Sequence, residues 1–144
     1  MNLANKVMRE VTQELLSEGY KNRYGINNGG CEDWAQRVMS RLWKSKYRVE
    51  IWATPFAFAE TNHVFLRING SFYDAECVNG RDDHMDLPIF SRLLKDGYGR
   101  QPVWLEHYNS AAKVPVENRR DMPDEMVEDY DHYWGTNNSG MASK

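Results

Sequence analysis

Cys31, His63 and Asp74 are residue types that together can run thiol chemistry. The chain has 144 residues and only two cysteines, and Cys31 directly follows a glycine pair in NNGGCEDWAQRVMSRL, residues 27–42. Trp34, Ala35, Val38, Met39 and Leu42 then recur at helical spacing, with Glu32, Asp33, Gln36, Arg37 and Arg41 on the other side. The pattern predicts a helix opening near Cys31, with the cysteine on its inward stripe. A thiol at a helix N-terminus sits at the positive end of the dipole, which lowers its pKa, and the free N–H groups there can hold an oxyanion. Glu32 and Asp33 push the thiol the other way, although first-turn acids are equally well explained as partners of the dipole. Gly29 and Gly30 remove side-chain bulk where a substrate backbone would approach the sulfur. A buried structural thiol is the competing reading, because free cysteine is among the most buried residues.

A thiolate nucleophile needs a base within reach, and the base needs a third group to fix its tautomer and orientation. Residues 62–76 supply candidates. NHVFLRI and SFYDAE flank the dipeptide Asn69-Gly70, a strong hairpin signal because both turn residues must tolerate positive φ. A two-residue loop sets Ile68 opposite Ser71, so Phe65 falls opposite Asp74 and His63 opposite Glu76. Opposed residues share a face, as do residues two apart on one strand. His63, Phe65, Asp74 and Glu76 therefore project from one side, and Val64, Leu66, Ile68, Tyr73 and Ala75 from the other. His63 and Asp74 become diagonal neighbours, roughly 7–8 Å apart at Cα, within reach of each other's side chains. Glu76, directly opposite His63, is a rival for the orienting role.

The elements that must position these residues are partly legible. Leu3, Val7, Val11 and Leu15 form one stripe of a first helix ending near Glu18-Gly19. Residues 20–30 read as a polar loop, and YRVEIW at 47–52 alternates as a strand. Pro88 lies near the first turn of a short helix running to Lys95, and residues 102–107 read as one more strand. Residues 1–115 are expected to form a single α+β domain, with N-terminal helices packed on a small antiparallel sheet. Residues 116–134 read as an acidic segment, a solvated face or a docking site for a protein partner, and 135–144 as a disordered tail.

A net charge of -3 gives no case for a nucleic-acid footprint. No apolar run is long enough to span a membrane, and the N-terminus lacks the apolar stretch of a secretory signal, so a cytoplasmic location with free thiols is expected. Cys77 reads as core or edge packing. A zinc site from Cys31, His63, Cys77 and His84 lacks the usual ligand spacing, so no metal is expected. Trp34, Trp43, Trp52 and Trp104 read as core and groove walls.

The order GGCEDWA, HVFLRINGSFYD and the Asp of FYDAE resembles the transglutaminase-like branch of the papain-like superfamily of cysteine hydrolases. The resemblance covers roughly residues 25–80. It implies a triad of Cys31 nucleophile, His63 base and Asp74 orienter, and favours Asp74 over Glu76. It implies acyl chemistry through a thioester, by hydrolysis or transfer, on a protein, peptide or small amide, with no cofactor. The oxyanion would be held by the Cys31 N–H and a donor from the preceding loop, for which Asn27, Asn28 and Tyr24 are candidates, with Gly30 and Trp34 near the substrate. A catalytically inactive protein-binding module on the same fold is the alternative.

Overall fold

The computed structural model describes residues 2–55, 63–95 and 102–114, with the side chains of 102–104 left undescribed. The acidic segment, the C-terminal tail and the Trp104 side chain lie outside these residues. The described chain is α+β: helices α1 (Leu3–Ser17), α2 (Arg23–Asn27) and α3 (Cys31–Leu42) precede strands β1 (Val49–Ala53), β2 (Val64–Ile68), β3 (Ser71–Asp74) and β4 (Cys77–Arg81). A 3₁₀ turn (His84–Asp86), α4 (Pro88–Lys95), α5 (Pro102–Asn109) and a short β5 (Ala112–Lys113) follow. The strands form one sheet in the order β4-β3-β2-β1-β5, with every pairing antiparallel.

The hairpin has the expected register, with Ile68 opposite Ser71, Arg67 opposite Phe72 and Leu66 opposite Tyr73. Asn69 and Gly70 both take positive φ, 49° and 91°, as a primed turn requires. The alternation then separates two cores. Val49, Ile51, Leu66 and Ile68 face α1 and α3 and join Val7, Met8, Val11, Leu15, Trp34, Val38 and Leu42. On the opposite face Phe65 and Phe72 join Cys77, Leu87, Phe90 and Tyr108, with Trp52 packed against them.

Helix α1 follows the expected stripe except at Leu3, which is exposed; Ala4 and Met8 complete the buried side. It ends as expected, with Gly19 N–H bonded to Leu16 O and Tyr20 N–H to Leu15 O, the two reversed bonds of a Schellman cap. Arg37 and Arg41 of α3 reach Glu14 of α1 and Glu18 at its C-cap. Pairs this exposed are screened by solvent and add little, whereas a fully buried Leu, Val or Met contributes about 1.5–3 kcal/mol. Apolar packing, not the ion pairs, fixes α1 on α3.

Two expectations are corrected. Residues 20–30 are not all loop: Asn22 caps α2 by accepting Gly25 N–H at 2.8 Å, and Ile26 anchors that helix in the core. Residues 102–107 are not a strand but part of α5, which runs on to Asn109 and buries His107 and Tyr108; six residues are too few to separate the two periods.

Candidate functional site

His63 immediately precedes β2 and is fully buried. Thr54, just after β1, holds its backbone from both sides: Thr54 N–H donates to His63 O at 3.1 Å, and His63 N–H donates to Thr54 Oγ1 at 2.9 Å. The imidazole stacks on Phe65 and meets the edge of Phe90, each at 5.7 Å between ring centroids. Little rotational freedom is left to it. Its Nε2 faces Asp74 Oδ2 at 3.1 Å, both groups buried, and Asp74 Oδ1 accepts the Glu76 N–H at 3.0 Å. A carboxylate against Nε2 assigns the proton to that nitrogen and leaves Nδ1 as the basic one in the neutral ring.

Cys31 is the first residue of α3 and is half-buried. The largest influence on its thiol is burial, which pushes the pKa up. The hydrogen-bonding pull and charge of His63, with the backbone amides of Val64 and Glu32, outweigh it, and the net pKa is lowered. For His63, burial works against the charged ring, but Asp74 and then Cys31 overcome it and raise the pKa to about 9. Opposite shifts on the two partners favour thiolate and imidazolium over thiol and neutral ring. Yet His63 Nδ1 is buried and closes no hydrogen bond of full geometry. The sulfur and imidazole are therefore close enough to couple their charges, but loosely aligned, as such pairs often are before a substrate binds.

The feared influence of the first-turn acids is reduced, because Asp33 is held by Arg37 Nε at 2.9 Å. Cys77 provides the contrast. It is buried opposite Asp74 on β4, and burial first, with Asp74 adding to it, raises its pKa.

The other candidate residues fall in varied places. Glu76 lies in the turn between β3 and β4, and its carboxylate accepts from Arg92 Nη2 at 2.7 Å, Arg92 Nη1 at 3.2 Å and Asn27 Nδ2 at 2.9 Å. It therefore does not orient His63; only its backbone N–H touches the orienter. Asn27 is buried and joined to Glu76 rather than to the sulfur. Asn28 is exposed at the C-cap of α2, bonding through its backbone to Tyr24 O. Tyr24 is exposed, with the Arg92 guanidinium 4.2 Å above its ring. Trp34 turns into the helical core, where its Nε1 donates to Thr12 Oγ1 at 2.9 Å. Gly30 is small for an internal reason: a Cβ there would stand 2.6 Å from the Tyr20 hydroxyl, whereas Gly29 faces open space. Gly30 caps α3 without a side-chain hydrogen bond, so no cap side chain competes for the first-turn N–H groups.

Four contributors were missed by the sequence reading. Thr54 clamps His63, Phe90 packs on its ring, the Val64 amide faces the thiol, and Arg92 anchors the turn behind Asp74. Only Thr54 left a local signal, as a β-branched polar residue closing an alternating run. The others depend on long-range packing.

Among the described residues no three His, Cys, Asp or Glu side chains converge as metal ligands, and no helix is long and apolar enough to cross a membrane. No protein-family model, curated protein or solved structure matches this chain, so a functional reading has to come from the site's own geometry.

Proposed function

We propose that the protein carries out cysteine-dependent acyl chemistry through a thioester, on a transglutaminase-like or papain-like core. The carrying observation is the buried Nε2–Asp74 contact at 3.1 Å together with the opposite shifts of Cys31 and His63. In this reading the Cys31 thiolate attacks the acyl carbon of a protein, peptide or small amide. As the S–C bond forms, the carbonyl electron pair moves to oxygen, which the open first turn of α3 can stabilise through backbone N–H groups. The His63 imidazolium protonates the departing amine. Water or a second amine then attacks the thioester, gives its proton to His63, and Cys31 leaves as thiolate. Asp74 holds the ring through both halves of the cycle. No step calls for a cofactor.

Thiol alkylation tests this. Iodoacetamide at pH 6–7 should label Cys31 far faster than Cys77, and His63→Ala should slow the Cys31 reaction by about 10²-fold or more. A Cys31 that reacts no faster than Cys77, at a rate indifferent to His63→Ala, would sink the reading. A non-catalytic binding module on the same fold would then remain.

A further inference from the structure

The face of the sheet that carries His63 also carries, two side chains further along β2, a second polar cluster unconnected with acyl chemistry. Its centre is Glu50 of β1, a buried carboxylate. Glu50 Oε1 accepts Trp52 Nε1–H at 3.0 Å, and its Oε2 lies 3.4 Å from Arg48 Nε and 3.9 Å from Lys113 Nζ. Arg67, opposite Glu50 in the β1–β2 register, approaches Oε1 only to 3.8 Å. One acid thus has three cations around it. Beside them is a cavity of about 320 Å³ lined by Arg48, Glu50, Arg67, Asn69 and Gly70.

Arg67 is the informative member. Its guanidinium lies 5.6 Å from the Trp52 ring centre and 5.5 Å from that of Phe72, so aromatic faces hold it in place. Its distance to Glu50 is too long for a hydrogen bond, and Nε is buried without an acceptor. Among the described residues the Arg67 side chain makes no hydrogen bond. A guanidinium fixed by ring faces, with its donors unused at the wall of a cavity, is pre-organised for an external acceptor, and its planar fork suits an oxyanion. The demand of Glu50 for partners does not account for it, since Trp52 and Arg48 already provide the close contacts.

We propose that this cavity binds a phosphate-type dianion, with the terminal N–H groups of Arg67 and the Arg48 guanidinium as its donors and Glu50 holding the cations in place. Phosphate is favoured over a single carboxylate because its tetrahedral oxygens can accept from the forks of Arg67 and Arg48 at once, whereas the two oxygens of a carboxylate are taken up by one fork. Free phosphate and a phosphoryl group on a larger molecule share this chemistry.

The test is a titration of the full chain with inorganic phosphate at pH 8 and constant ionic strength, following the Arg67 Nε–H resonance. Saturable shifts are expected, weaker at pH 6 where phosphate is mostly monoanionic. Acetate at equal ionic strength should give at least tenfold weaker binding. Arg67→Gln should abolish saturation, read on the Gly70 amide, and Arg48→Gln, at a more exposed position, should weaken binding several-fold with an unchanged far-UV spectrum. A phosphorylated small molecule that competes with inorganic phosphate at lower concentration would assign the site to a phosphoester; competition no better than phosphate would assign it to the free ion. Non-saturating shifts, or shifts that chloride reproduces equally, would overturn the proposal. The outcome is independent of Cys31 reactivity.

Discussion

Two ends of one sheet face resolve a buried carboxylate in different ways. At the His63 end, Asp74 meets one imidazole and one backbone N–H, and the acid and the ring are both enclosed. At the hairpin end, Glu50 is equally buried but is surrounded by cations that reach solvent, beside an open cavity. The aromatic layer of Trp52, Phe65, Phe72, His84 and Phe90 lies between them. Enclosure at the first end leaves proton affinity as the adjustable quantity, because a ring that cannot rotate and is shielded from water responds strongly to one nearby charge. Openness at the second end leaves the donors of Arg67 within reach of an ion from solution. The same period-two alternation built both; the difference is what covers each.

The largest effect should come from removing the charge at the enclosed end. Asp74→Asn keeps the shape but loses the group that assigns the Nε2 proton, and any Cys31-dependent turnover should fall by about 10²–10⁴-fold. The pH profile sharpens the point. His63 is raised to about 9 and Cys31 is lowered, so the thiolate–imidazolium pair is populated between the lowered thiol pKa and about pH 9. Cys31 alkylation should rise with pH through that lower limit, ahead of an ordinary thiol, while turnover should fall above about pH 9 as His63 loses the proton that the leaving group needs. The stability contribution of the His63 proton has the matching sign: it is full below about pH 6.5, the ordinary histidine value, and is lost as pH rises through about 9. In Asp74→Asn the upper limb should move to lower pH. An upper limb that stays near 9 would show that Asp74 does not set the ring's basicity, and the contrast between the two ends would fail.

How the enclosed end could be read in advance is a matter of range along the chain. The Asn69-Gly70 turn fixes a register, and a register fixes faces, so the shared side of His63 and Asp74 follows from four or five residues of local pattern. The helix opening at Cys31 is legible for the same reason. The role of Glu76 was not, because β3 ends at Asp74 before any pairing of Glu76 with His63, and Arg92, sixteen residues away on α4, takes its carboxylate. Residues 102–107 were read as a strand, yet the helix runs on to Asn109, and a window of six residues is too short to separate the two periods. Trp34 was read as core or groove wall and lies in the core, but its partner Thr12 is on α1, and nothing local announces that hydrogen bond. The Glu50 cluster was legible only as a charge within an alternating strand. That its neighbours would be Arg67 and Lys113 depends on the strand order.

At the open end a smaller effect is expected. Glu50→Gln keeps a hydrogen-bond acceptor for Trp52 Nε1 but removes the countercharge of Arg48, Arg67 and Lys113. Because both arginines are partly exposed, solvent screens much of the loss, and a cost of about 1–2 kcal/mol is expected rather than the 3–5 kcal/mol of a fully buried broken pair. Chemical denaturation measures it. The Cys31 alkylation rate should stay within about twofold, since the aromatic layer separates the two ends. A large change in thiol reactivity would mean that the ends communicate, and the comparison would have to be abandoned.

The smallest effect should come from the brace behind Asp74. The Glu76 carboxylate joins Asn27 at the end of α2, four residues before Cys31, to Arg92 on α4, while the Glu76 backbone N–H supports Asp74. One turn is thereby tied to the segment that leads into the thiol and to the helix that carries Phe90. Glu76→Gln retains acceptor oxygen for both partners but weakens the charged bond to Arg92, whose side chain is 40% exposed. Solvent screening at that exposure limits the loss of stability to about 1 kcal/mol or less. If the brace aligns imidazole and sulfur, Cys31 alkylation at pH 7 should slow several-fold, with the lower limb of its pH profile moving upward. Glu76→Ala, which also abandons Asn27, should exceed it. Equal stability losses in the two variants with an unmoved pH profile would mark Glu76 as a fold contact alone, because a residue that only holds the turn in place has no reason to alter the proton affinity of a thiol on another element.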